Sequence, residues 1–95
     1  AGGSAVRAAD NGDGYLVNGS ANVRALNRTM KWQLPLGEAK TLNGLIQEQL
    51  EAIPDEGTPL MLGNYPVEIL ETGDNVVKLV RLREPVATSR AVGEN

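Results

Sequence analysis

The chain of 95 residues contains no cysteine and no histidine. Without Cys there is no disulfide framework, no thiolate nucleophile and no cysteine-held zinc. Without His there is no imidazole base, no Ser/His/Asp triad and no histidine-ligated metal. Any catalysis would fall to Asp, Glu, Ser, Thr, Lys and Tyr, an inventory that argues against an enzyme. Phe is absent too, and one Trp with two Tyr makes the aromatic content 3%. The core must therefore be aliphatic, and the stacking platforms that hold single-stranded nucleic acid are lacking. A formal net charge of −3 also argues against a phosphate-binding footprint, which needs clustered Lys and Arg. No apolar run approaches the roughly 18 residues of a membrane span, and no secretory signal pattern is visible. Neither G-x-G-x-x-G nor a P-loop occurs, so a flavin or nucleotide has no phosphate-cradling motif to bind. No cofactor is expected.

What is present begins with a segment that invites a metal reading, "DNGDGYLVNG" from Asp10 to Gly19. Setting Gly14 at the glycine position of an EF-hand loop places Asn11 and Asp13 at ligand positions, but leaves Ala9 and Ser20 where the first and last carboxylates must stand. Starting the loop at Asp10 puts Tyr15 where the glycine is required. A calcium loop is thereby excluded. The cluster of Asp, Asn and Gly suits instead the reversal of a β-hairpin between strands at residues 5–8 and 15–17.

Asn18-Gly19 is a second break, and Ser20 after it has the chemistry of a helix N-cap. Val23, Leu26 and Met30 recur at spacings of three and four, predicting a short amphipathic helix over residues 21–30. Pro35 and Gly37 make the next stretch irregular, with Trp32, Leu34 and Leu36 packing it onto the core. Thr41 caps a second helix whose stripe is Leu42, Leu45, Ile46, Leu50 and Ile53, ended by Pro54. Gly44 falls on its buried side, where it allows close backbone approach. After the turn at Pro54-Asp55-Glu56-Gly57, three strands are expected: residues 60–62, then 65–69 across a Gly63-Asn64 hairpin, then 76–83. Pro66 cannot donate to a ladder, which predicts an edge or a bulge there. The order is hairpin, helix, helix and three-stranded antiparallel meander. This is an α+β fold with both helices on one face of the sheet, since no βαβ alternation occurs.

The segments "DGYLVNGSANVRALNR", "TLNGLIQEQLEAIPDEGTPLMLGNYPVEILE" and "NVVKLVRLR" occur in an order that resembles the CorC/HlyC transporter-associated domain. The matching positions are Val17-Asn18-Gly19-Ser20, Leu26-Asn27, Thr41-Leu42, Ile53-Pro54-Asp55-Glu56-Gly57, Gly63-Asn64-Tyr65, Val67-Glu68-Ile69-Leu70 and Val80-Arg81-Leu82-Arg83. They span residues 5–83, leaving residues 1–4 as a linker-like start and 84–95 as a loose tail. The resemblance implies a C-terminal module on the cytoplasmic face of a bacterial inner-membrane protein of the CorB/CorC type, following a pair of CBS domains and a membrane domain. Similar modules end some cation/proton antiporters, and the fold is similar to a subdomain of certain FAD-binding proteins. It implies a non-catalytic role in modulating magnesium or cobalt transport. The implied partners are the CBS and membrane domains of the parent protein, or a second copy of the module, with no nucleic acid and no insertion into the bilayer. Gly14, Gly19, Ser20, Thr41, Pro54, Gly57 and Gly63 stand out as a structural signature of turns and caps rather than as catalytic residues.

Three surface features remain open. Glu68, Glu71 and Asp74, with Asp55 and Glu56, offer the oxygen ligands of a hard-cation site, against the plainer alternative of a solvated strand face and two turns. Lys78, Arg81 and Arg83 face either an acidic partner or lipid headgroups, or else are charges guarding an edge strand. Trp32 is either a partner anchor or a core plug, the latter being the usual fate of a lone Trp. A module that senses a nucleotide or divalent cation directly is the alternative to protein docking.

Overall fold

The computed structural model describes residues 5–85, so the linker-like start and most of the expected tail, residues 1–4 and 86–95, lie outside the described residues. β1 (Val6–Ala8) and β2 (Tyr15–Asn18) form the expected hairpin, with Val6 opposite Val17 and Ala8 opposite Tyr15. The reversal is a 3-10 turn at Asp10–Gly12, followed by Asp13 and Gly14. Asn11, Gly12 and Gly14 take φ of +67, +69 and +80, conformations that Asn and Gly tolerate. Gly14 is further constrained because a β-carbon there would lie 2.7 Å from the carbonyl oxygen of Leu82.

α1 (Val23–Met30) is capped by Asn22, whose Oδ1 accepts from the Ala25 N–H at 2.8 Å. Ser20 is therefore not the cap that its sequence position suggested. The Ala21 N–H bonds the Asn18 carbonyl at 3.0 Å, carrying the chain through a turn, and Asn22 then bridges Thr41 before the helix begins. Ser20 lies exposed in that turn. α2 (Leu42–Leu50) has the expected cap, Thr41 Oγ1 accepting from the Gly44 N–H at 3.1 Å. It ends earlier than expected. Glu51 takes a left-handed φ of +58 and returns its N–H to Gln47, so Pro54 lies beyond the helix, buried in the turn that follows. Ile53 consequently leaves the stripe and is exposed, while Leu42, Leu45 and Ile46 are buried. Gly44 does allow a close approach: its β-carbon would meet Ala39 Cβ at 2.8 Å.

β3 (Pro59–Leu62), β4 (Tyr65–Gly73) and β5 (Val76–Leu82) form the meander. Gly63, at φ +60, is the first central residue of the β3–β4 turn, the position at which a type II′ turn demands glycine. Asp74 and Asn75 both take positive φ, +55 and +65, as the type I′ turn between β4 and β5 requires. The β4–β5 register jumps from Ile69–Val80 to Glu71–Leu79, so Leu70 is an extra residue in a bulge.

β2 pairs with β5, which fuses hairpin and meander into one antiparallel sheet of order β1-β2-β5-β4-β3. β5 is thus the central strand, and its arginines do not guard an edge. Pro66 likewise lies on an inner strand. The β4–β5 ladder begins one residue later, at Val67–Leu82, and Pro66 contributes only its carbonyl, which accepts from the Arg83 N–H at 2.9 Å. The core gathers Val17, Val67, Ile69, Val77, Val80 and Leu82 from the sheet against Val23, Leu26, Leu42, Leu45 and Ile46 from the helices. Each fully buried aliphatic of this set contributes about 1.5 to 3 kcal/mol by leaving water. Among the described residues the opposite face of the sheet carries no helix.

Candidate functional site

On that open face the sheet register sets Leu16, Arg81 and Glu68 in one row across β2, β5 and β4. The loop before β2 adds Asp13 to it. Arg83 directs both Nε and Nη2 to Asp13 Oδ1, each at 2.9 Å. Arg81 donates from Nη1 to the Asp13 carbonyl at 2.9 Å, stands 3.5 Å from its carboxylate, and reaches Glu68 at 3.7 Å from Nε. Arg81 on the central strand and Arg83 just beyond its end thus hold Asp13 of the "DNGDG" loop. The groups are partly exposed, so each pair contributes about 0 to 1 kcal/mol. Beside them a groove of about 390 Å³ runs between Pro59, Met61 and Pro66, with Glu68 and Arg83 on its rim.

The three carboxylates named as cation ligands do not converge. Glu68 is engaged by Arg81, Asp74 stands 3.7 Å from Lys78, and Glu71 is exposed on β4. Asp55 is exposed in its turn, and Glu56 Oε2 accepts from the Thr72 N–H at 3.1 Å. Among the described residues no three Asp or Glu stand close enough together to hold a metal ion.

Trp32 is a core plug, 4% exposed, meeting Tyr15 edge-on at 5.4 Å and Tyr65 at 6.1 Å. Its Nε1–H donates to Glu84 Oε2 at 2.8 Å, so Glu84 closes over the aromatic group as the chain leaves β5. The loop after α1 is held by Asn27, whose amide donates to the Leu34 carbonyl at 3.0 Å and accepts from the Leu34 N–H at 2.9 Å. Tyr65 Oη accepts from the Gln33 N–H at 2.8 Å. Farther along, Leu36 is 53% exposed.

The signature residues sit at turns, caps and close approaches. Gly19 is the tightest: its N–H donates to the Lys78 carbonyl, its carbonyl accepts from the Asn43 N–H at 2.7 Å, and a β-carbon there would lie 1.8 Å from the Val77 carbonyl oxygen. Gly57 donates to the Ile69 carbonyl at 2.7 Å in the turn before β3. Asn43, whose Oδ1 accepts from the Val77 N–H at 2.7 Å, Glu84 and the bracing role of Asn27 were not foreseen. The available signal was two asparagines within helices, where Asn is a poor helix former unless its amide has other work.

A five-stranded antiparallel sheet with two helices on one face, and turns built on Gly, Asn and Asp at positive φ, define an α+β module of the transporter-associated type. The chain belongs to the transporter associated domain family, CorC_HlyC, whose model matches residues 8–86. It is 42% identical over 83 residues to the UPF0053 inner membrane protein YfjD of Escherichia coli (strain K12), an alignment covering 81% of this chain and 19% of that protein. The chain therefore spans about a fifth of the length of this curated relative. A solved structure described as a functionally unknown conserved protein from Haemophilus influenzae Rd KW20 superposes with a TM-score of 0.79 at 41% identity, covering 85% of this chain and 99% of that one. The transporter associated domain CorC_HlyC from a Xylella fastidiosa Temecula1 hemolysin, in complex with Mg++ and Mn++, has a TM-score of 0.73 at 16% identity, covering 85% of this chain and 98% of that one. At that identity the likeness is one of fold.

Among the described residues no helix is long and apolar enough to cross a membrane.

Proposed function

We propose that this chain is a non-catalytic accessory domain of a membrane cation transporter of the magnesium or cobalt class, acting from the cytoplasmic face by docking on the CBS and membrane domains of its parent protein. The observation that carries the proposal is the 42% identity to an inner membrane protein of which the matched segment is only 19%. The mechanism is a docking equilibrium: the module biases the transporter by the difference in its affinity for two states, and a contact equal in both states changes nothing. The groove at Pro59, Met61 and Pro66, rimmed by Glu68 and Arg83, is a surface suited to such a contact. Its test is association in trans. The 95-residue chain is titrated against the parent protein lacking residues 5–85, with calorimetry as readout. Binding that weakens on Met61→Glu supports docking, and a flat isotherm up to about 1 mM, the edge of measurable specific binding, would overturn it.

Of a second reading, direct sensing of a divalent cation or nucleotide, the cation half is favoured by the Mg++ and Mn++ complex of the Xylella domain. Here it would have to draw on exposed carboxylates that make no ion pair among the described residues, Glu71, Asp55 and Glu51 being examples. Calorimetry of the chain with magnesium, manganese, ATP and FAD distinguishes the two readings, since docking requires no heat from any of them.

A further inference from the structure

The chain has nine Lys and Arg, and three of them, Lys78, Arg81 and Arg83, are held by Asp74, Asp13 and Glu68. Arg24, Arg28, Lys31 and Lys40 make no ion pair among the described residues, and all four are exposed. Arg7 on β1 is likewise exposed and without an ion pair among the described residues, but the other four lie on α1, at its C-cap or against its first residue. Arg24 and Arg28 stand one turn apart on one side of α1, and Lys31 follows them as its left-handed C-cap. Lys40 joins them at the other end, where its carbonyl accepts from the Val23 N–H at 2.9 Å.

α1 holds no Asp or Glu, and Glu38 is the single acid between residues 21 and 40. Like charges one turn apart weaken a helix, and a face meant only for solvent mixes both signs. In a chain of net charge −3 this helix inverts the local sign. Leu36 adds an independent observation. It is 53% exposed and shares a cleft of about 250 Å³ with Val23, Gly37, Ala39 and the two flanking cations Arg24 and Lys40. Cations around a protruding apolar side chain are what a peripheral membrane contact requires, the charges meeting headgroups and the apolar group entering the acyl boundary.

We infer that the α1 face, Arg24, Arg28, Lys31 and Lys40 around Leu36, lies against anionic phospholipid headgroups. The inference rests on the proposed place of this module in a membrane protein. Charge complementarity selects the lipid surface, because long unpaired cations with a single apolar residue suit a fluid layer of phosphates better than a packed protein interface, whose centre is apolar and depleted of charge. The contact is peripheral. Each cation near an anionic surface strengthens partition about five-fold. In the parent protein this weak contact would be reinforced because the module is tethered beside the bilayer. It would fix the module's orientation and so decide which of its other faces meets the transporter.

The test is flotation of the 95-residue chain with vesicles containing about 40% phosphatidylglycerol, compared with pure phosphatidylcholine, at low and at physiological salt. Binding is expected only to the anionic vesicles, falling with salt. Arg24→Gln, Arg28→Gln and Lys31→Gln together should lower it at least about ten-fold, whereas Arg7→Gln with Lys78→Gln, off this face, should leave it within about two-fold. Circular dichroism of the triple variant verifies that it is folded. Absence of binding to any vesicle, equal binding to neutral vesicles, or a folded triple variant that binds as well as the parent chain would each overturn the inference. Docking in trans is measured without lipid, so a failure here is distinguishable from a failure of the functional proposal.

Discussion

Gly19 and Val77 approach so closely that a β-carbon on Gly19 would stand 1.8 Å from the Val77 carbonyl oxygen. The contact lies where β2, β5 and the start of α2 meet, because Gly19 also bonds Lys78 on one side and Asn43 on the other. Nothing there can shift cheaply, since the obstructing atom is backbone in the central strand. Gly19→Ala should therefore cost at least about 3 kcal/mol, several times the usual surface substitution, read as a fall in the urea midpoint. A cost below about 1 kcal/mol would show that the approach is looser than described.

Asn27 satisfies both backbone polar groups of Leu34, a residue only 3% exposed. Asn27→Ala strands a donor and an acceptor together and should cost about 2 to 3 kcal/mol in chemical unfolding. Asn27→Asp keeps the acceptor for the Leu34 N–H but loses the donor, and should fall between.

The Trp32–Glu84 hydrogen bond gives an optical handle on the exit from β5. Glu84→Ala should cost about 1 kcal/mol and alter the emission of the only tryptophan. Glu84→Gln retains an acceptor and should change both less. Equal emission from all three proteins would place the carboxylate away from the indole.

Asn75→Gly should stabilise the protein by a few tenths to about 0.5 kcal/mol. It completes the Asp-Gly pair that type I′ turns favour, and relieves a non-glycine residue at φ +65. The backbone carbonyl that Gln47 reaches is unaffected by the change. Thermal unfolding measures it.

The parts legible in the sequence were those fixed by short-range rules. Thr41 with Leu42, Leu45 and Ile46 specified α2 through a cap and a 3.6-residue stripe, and Gly63-Asn64 specified a hairpin. What escaped was set at long range. The pairing of β2 with β5 joins residues more than 60 positions apart, so nothing local marked β5 as central, and alternating arginines gave it the look of an edge. Arg81 tolerates the central strand, and Arg83 the position just after it, because that face is open and Asp13 and Glu68 reach them. Ser20 and Asn22 are both competent caps, and the choice fell to the turn that leads from Gly19 to the bridge with Thr41. The carboxylates Glu68, Glu71 and Asp74 are neighbours along the chain, but cations and a bulge at Leu70 separate their uses.

The central claim is that this module biases ion transport by docking. The most direct measurement is cation flux in vesicles holding the parent protein, intact and lacking residues 5–85, across a range of magnesium concentrations, with the 95-residue chain then supplied in trans. The account predicts that deletion shifts the flux or its magnesium dependence several-fold, and that the added chain moves it back toward the intact value. Flux and magnesium dependence unchanged by the deletion, in a parent protein still inserted and folded, would contradict it.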